Sequence, residues 1–264
     1  MKITDGTRVL ITGANGGLGQ AIARSFAARG ARLLVTGRRA DALEPLRAEL
    51  KADVFVADLA ERADVDRLAE AACEHDVIVL NAALPASGSL DDFTAHEIDR
   101  ALDVNLRSPI HVARLASRAM AQRKRGQIVF ISSISGKVAA TGSSLYSATK
   151  FGLRGFSLGL RADMRASGVG VTTIFPGFIR DAGMFAMTGV RLPRGAGTRS
   201  PEDVARAVIR AVEYNPAEID VAAFEQRLGG WLAHHFPDFI ASSQRLFGAE
   251  KISAQIASGQ QSKR

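Results

Sequence analysis

Short, β-branched apolar runs alternate with alanine-rich amphipathic segments along most of the chain. The runs fall at 8–12, 32–36, 53–56, 77–80, 127–132, 169–175 and 218–221. Most are apolar almost throughout rather than alternating, which is the pattern of strands covered on both faces of a parallel sheet. Between them, segments such as 18–29, 41–50, 64–74 and 146–167 read as helices with one apolar stripe. Strand, helix, strand repeated in this way predicts a doubly wound α/β fold with helices on both faces. Ligands of such a sheet meet it at the C-terminal ends of its strands.

Two regions break the rhythm. Residues 177–200 mix glycine with large apolar side chains at neither helical nor strand period, and the polar tail 249–264 is expected to fray. The chain reads as one domain over 1–248. Hydrophobic residues make up 47% of the 264 positions, enough for a sizeable core. The lone cysteine, Cys73, excludes an internal disulfide and fits a reducing compartment, so a cytoplasmic location is expected. Its surroundings suggest a buried helical thiol rather than a reactive one. The N-terminal residues carry neither a basic leader nor a long apolar run, so no signal peptide or membrane anchor is expected.

A net charge of +7 raises the question of nucleic acid. The arginines are scattered, however, and the one dense run, Arg123, Lys124 and Arg125, reads as a solvated helix end without aromatic platforms. Nucleic acid is therefore not an expected partner. No metal site is expected either, because His234 and His235 are adjacent and would point about 100° apart on a helix. Asp91 and Asp92 read as a loop and helix-cap cluster. Segment 224–247 carries Leu228, Trp231, Leu232, Phe236, Phe239 and Ile240. Packing on the domain or on a second subunit is the ordinary reading of these residues, and a lipid surface the weaker one.

The first strand ends in Thr12, Gly13, Ala14, Asn15, Gly16, Gly17, Leu18 and Gly19, then opens directly into a helix. Glycines there let the backbone turn tightly and approach a pyrophosphate, while the helix N-terminus offers free N–H groups. The segment resembles the TGxxxGxG turn of the short-chain dehydrogenase/reductase family, with Thr12, Gly13, Gly17 and Gly19 in the matching places. The resemblance runs to about Val221 and implies a Rossmann-like sheet that binds a nicotinamide dinucleotide. It implies cofactor contacts from Gly13, Asn15, Gly16, Gly17, Leu18 and Gly19. Asp58 and Leu59 would lie beside the adenine. Asn81, Ala82 and Ala83 would stand near the ribose, in a variant of the family's Asn-Asn-Ala-Gly. Pro176, Gly177 and Ile179 would stand near the nicotinamide amide. The threonine that often follows is replaced by Arg180 and Asp181, and whether Asp181 substitutes for it stays open.

The second strand ends in Thr36, Gly37, Arg38 and Arg39, with no carboxylate to receive a ribose 2′-hydroxyl. Either guanidinium can pair with a 2′-phosphate instead, so NADP(H) is expected in preference to NAD(H). Tyr146 and Lys150 are four apart at the start of a helical segment and share one face. An ammonium beside a phenol stabilises the phenolate and lowers a pKa of about 10 toward the working range. By resemblance, Ser133, thirteen positions before Tyr146, holds the substrate oxygen. Ser132 and Ser135 are less well aligned alternatives. Asn105 matches the family's proton-relay asparagine.

Taken together, the resemblance implies hydride exchange between a carbonyl and an alcohol in a homodimer or homotetramer. It also implies that 177–200 is a substrate lid. Phe178, Ile179, Met184, Phe185, Met187, Val190 and Leu192, interspersed with glycines, then suit a bulky apolar substrate. Two alternatives are a 3-oxoacyl-carrier-protein reductase and a cofactor-sensing protein without turnover. A complete Ser-Tyr-Lys set argues against the second.

Overall fold

The structure is a computed structural model and describes residues 1–186, 188, 197–236, 255, 258 and 259. Met187, Val190, Leu192, Phe239 and Ile240, all singled out from the sequence, lie outside them. Seven strands pair in parallel throughout: β1 (Arg8–Ile11), β2 (Arg32–Gly37), β3 (Asp53–Val56), β4 (Val77–Leu80), β5 (Gly126–Ile131), β6 (Val169–Pro176) and β7 (Glu218–Val221). Their spatial order is β3-β2-β1-β4-β5-β6-β7. The chain moves outward from β1 in one direction, then returns to build the other half from β4. The order thus reverses between β1 and β4, where crossovers diverge and leave a crevice.

The apolar runs have two-sided cover. Val9 and Ile11 pack under α1 (Gly17–Ala27), α2 (Glu44–Leu50) and α8 (Pro201–Tyr214), whereas Leu10 between them faces α3 (Arg62–Ala72), α5 (Ser108–Gln122) and α6 (Ser144–Asp163). All eight residues of β6 and all four of β4 are buried. Each fully buried Val, Leu or Ile contributes about 1.5–3 kcal/mol, so the sheet centre is the most strongly stabilised part of the fold.

Strand limits differ from the sequence reading by at most one residue, and helix limits differ more. α2 begins at Glu44 rather than at 41, because Pro45 lacks an N–H and fits only the first turn. α6 stops at Asp163, and the residues up to Ser167 tighten into turns closed by a Ser167 hydroxyl bond to Met164 O of 2.7 Å. α4 (Ala95–Leu102) is capped by Thr94 and Glu97 in a reciprocal box, so the capping role expected of Asp91 and Asp92 falls to Thr94. Those two acids lie in a 3-10 turn, Leu90–Asp92. Arg123 and Arg125 do more than end a solvated helix. Arg123 donates to the carbonyls of Cys73 and His75, and Arg125 pairs with Asp76 at 2.6 Å, tying α5 to the start of β4.

A short helix, α7 (Gly183–Ala186), stands in the segment expected to have no helical period, and α9 (Phe224–His235) follows β7. Gly259 packs so closely on Thr188 that an added Cβ would lie 2.9 Å from its Cα. Among the described residues, no helix is long and apolar enough to cross a membrane.

Candidate active site

At the β1–β4 reversal a cavity of about 880 Å³ is lined by Gly13, Asn15, Gly16, Gly17, Leu18 and Gly19 from the first turn. Arg38 and Arg39 reach it from the end of β2, Asp58 and Leu59 from β3, and Asn81, Ala82 and Ala83 from β4. A volume of this size is in the range of cofactor sites. The turn exists because its glycines have no side chain. Gly13 has φ +64°, and a Cβ there would lie 2.8 Å from Ala82 Cα; at Gly19 it would lie 2.4 Å from Gly13 O. The Thr12 hydroxyl accepts from the amides of Asn81 (2.9 Å) and Ala82 (3.0 Å), and Asn81 Nδ2 donates to Thr12 O and Gly13 O. These bonds lock the ends of β1 and β4 together. Ala83 is not among the residues with positive φ, so a methyl is tolerated where the family pattern has glycine.

The amides that open α1 have no intrahelical acceptor and form, with the glycine turn, an anion cradle at one end of the cavity. Arg38 and Arg39 are exposed at the rim and have no ion-pair partner among the described residues. A pyrophosphate and a 2′-phosphate therefore have donors of the right kind, and a nicotinamide dinucleotide fits the residues present. Lining residues that sequence reasoning missed are Arg100, which reaches Asp58 at 3.4 Å, together with Leu84, Pro85, Val104 and Gly183. Gly259 and Met184 lie on the same wall, so a residue of the tail helps to close the cavity. Only tertiary packing could reveal these.

The hydroxyl-bearing residues stand at the next strand ends. Ser133 ends the β5 segment and caps a 3-10 turn, Ile134–Gly136, by accepting the Ser135 amide at 3.1 Å. Its hydroxyl also hydrogen-bonds the Tyr146 phenol. Ser132 faces the other way, donating to Lys150 O at 3.3 Å, which separates the two adjacent serines. Lys150 is buried one turn along α6, its ammonium donating to Ile131 O at 3.2 Å and lying 5.5 Å from the Tyr146 ring centre.

Electrostatics here differ from the sequence expectation. Burial pushes the Tyr146 phenol up to about 12, only partly countered by the Ser133 hydrogen bond, and Lys150 does not lower it. Burial likewise pulls the Lys150 ammonium down to about 8. Desolvation is the leading cause of both shifts, and neither group contributes to the other's.

Asn105, given a relay role by resemblance, is fixed by contacts to a neighbouring backbone. It is buried in a π-helical stretch, Asp103–Arg107, between α4 and α5, and its side chain clamps the Leu84 backbone through Leu84 N (2.6 Å) and Leu84 O (2.9 Å). Gly177 packs against Ala222 and Gln226 rather than lining the cavity. The Ile179 side chain is in the core, and its bridge to Arg199 uses the backbones of Phe178 and Arg180, leaving Ile179's own N–H and C=O out of the pairing. Pro176 is the last residue of β6. Asp181, at φ +66°, is exposed and pairs with Arg180 at 3.4 Å.

Residues 7–189 match the family model described as short chain dehydrogenase. The chain is 30% identical over 230 residues to a ketoacyl reductase from a Nostoc species, covering 84% of this chain and 80% of that one. A short-chain dehydrogenase from Sphingobium yanoikuyae, solved in complex with NADPH, superimposes with a TM-score of 0.75 at 26% identity, covering 88% of this chain and 95% of that one. A bulky-bulky ketone specific alcohol dehydrogenase from Comamonas testosteroni gives 0.74 at 25%, covering 93% and 95%. With its parallel sheet, its glycine turn and more than half its length matched, the chain belongs to the short-chain dehydrogenase family of oxidoreductases.

Proposed function

We propose that this oxidoreductase interconverts a bulky apolar carbonyl compound and its alcohol with NADP(H). The observation that carries the reading is the Ser133–Tyr146 hydroxyl pair with Lys150 buried beside it, one strand end away from the glycine-lined cavity. The cofactor, when bound, supplies or accepts the hydride. Ser133 holds the substrate oxygen and Tyr146 exchanges its proton. With its phenol held near 12, Tyr146 keeps that proton at neutral pH, which suits it to act as the acid in carbonyl reduction. Lys150, at about 8, is mostly an ammonium there and offers the ribose hydroxyls a charged donor.

Arg38 and Arg39, exposed at the rim without an ion-pair partner among the described residues, favour the phosphorylated cofactor, and the Sphingobium relative was solved with NADPH. The apolar substrate rests on Phe178 and Phe185, whose rings stack 4.7 Å apart after β6, and on the ketone preference of the Comamonas relative. The Nostoc relative favours a second reading, a 3-oxoacyl thioester as substrate.

Following NADPH oxidation across a panel of cyclic, aryl and short-chain ketones, aldehydes and a 3-oxoacyl thioester separates the two readings. For the best substrate, Tyr146→Phe lowers turnover by on the order of 10²–10⁴ with NADPH affinity little changed. Undiminished turnover in that variant removes Tyr146 from the chemistry.

A further inference from the structure

Behind the hydroxyl pair, four charged side chains meet against one aromatic ring. Glu218 and Asp220 stand two apart on the edge strand β7 and share a face. The Lys137 ammonium lies 2.6 Å from Asp220 and 3.0 Å from Glu218, and 4.2 Å from the Phe175 ring centre. Arg154 approaches Glu218 with Nε at 2.6 Å and a terminal nitrogen at 3.2 Å, its guanidinium 5.7 Å from the same ring. None of the four side chains is more than 28% exposed, so these pairs escape most of the screening that weakens surface pairs. Burial pushes the Glu218 carboxyl up, but hydrogen bonds from Arg154 and Lys137 outweigh it and hold the group below its ordinary range.

The two cations come from the two segments that carry the reacting hydroxyls. Lys137 closes the turn that Ser133 opens, its amide bonding Ile134 O at 2.9 Å. Arg154 continues the row of Tyr146 and Lys150 along α6, four residues apart each time. Arg154, on the tyrosine's helix, holds both Glu218 oxygens, and Lys137, on the serine's loop, shares Oε2 with it. A hydroxyl pair that must align within a fraction of an ångström loses up to about 10²-fold in rate when one partner drifts by about 1 Å.

We propose that Glu218 is a positioning residue: by bridging Lys137 and Arg154 it fixes the Ser133 hydroxyl against the Tyr146 phenol. The inference rests on the reading of Ser133 and Tyr146 as the reacting pair.

The chain has two tyrosines, and the other, Tyr214, is 75% exposed and distant in role. A Tyr214→Phe protein grown with 3-fluorotyrosine therefore gives one fluorine resonance, from Tyr146. Ser133→Ala sets the resonance position for a broken hydrogen bond. Lys137→Met and the isosteric Glu218→Gln are expected to move the resonance at least halfway to that position, and Lys137→Arg to leave it in place. Turnover per NADPH-binding site falls roughly tenfold in the first two and is restored in the third. Resonances of Lys137→Met and Glu218→Gln that stay at the parent position, beside an inactive Tyr146→Phe, overturn the positioning role alone. An active Tyr146→Phe overturns the functional reading, whatever the resonances show.

Discussion

Lys150 carries a conflict between stability and chemistry. Its pKa falls from an ordinary 10.5 to about 8 because the ammonium is buried. Between those values the unfolded chain binds a proton that the folded chain has lost, so by linkage this group makes stability rise with pH across that window. Tyr146 acts in the opposite sense between 10 and about 12, where the folded chain keeps the proton longer. Below pH 8 the buried ammonium costs the cofactor-free protein on the order of 3 kcal/mol. Lys150→Met, which keeps the stem and removes the charge, should therefore raise unfolding stability at pH 7 and flatten the rise toward pH 10, while turnover collapses. Urea titrations at both pH values check this; a variant weaker than wild type at pH 7 would contradict it. The four-residue spacing of Tyr146 and Lys150 was legible because helix geometry is local. The direction of their pKa shifts was not, because desolvation depends on every element that covers α6.

At the scale of elements, the sequence reading placed a helix cap near the start of α4 but on Asp91 and Asp92 rather than on Thr94, and it did not foresee the connection geometry. The boxes formed by Thr94 with Glu97 and by Ser200 with Asp203, which flank Pro201, are local signals that set the starts of α4 and α8. The π-helical stretch that turns Asn105 onto the Leu84 backbone has no such signal. The segment after β6 is similar. Its Ala182 leans on the glycine turn, where a Cβ on Gly17 would come within 2.3 Å of the Ala182 Cβ. α7 then places Phe185 on Phe178. If this element covers the substrate, Phe185→Ala should raise KM severalfold for cyclic and aryl ketones and spare the smallest ones, since a lost apolar contact of about 1.5–3 kcal/mol is felt only by a ligand large enough to make it. Equal loss for all sizes, seen in the same panel, would mean that Phe185 supports the fold or the cofactor instead.

For the whole molecule, the cavity joins the ends of β1, β2, β3 and β4, so a ligand filling it ties both halves of the sheet. At a hundred times its Kd, NADPH should add about 2.7 kcal/mol of stability, or several degrees in Tm for a domain of this size. NADH at the same concentration should add less, and Arg38→Ala should shrink the difference. Equal shifts for the two cofactors in thermal melts would remove the preference. If only Arg39→Ala narrows the gap, the phosphate contact belongs to that neighbour. The sequence by itself determined the seven strands to within a residue, the two-sided cover, the glycine turn and the row of Tyr146 and Lys150. Each of these follows from the period of apolar residues or from the shape of a single residue, and both are local. Tertiary structure alone decided that Glu218, Lys137 and Arg154 meet, that Asp181 turns to solvent and that Gly259 closes the cavity wall. These depend on contacts between segments tens of residues apart, which no local pattern encodes.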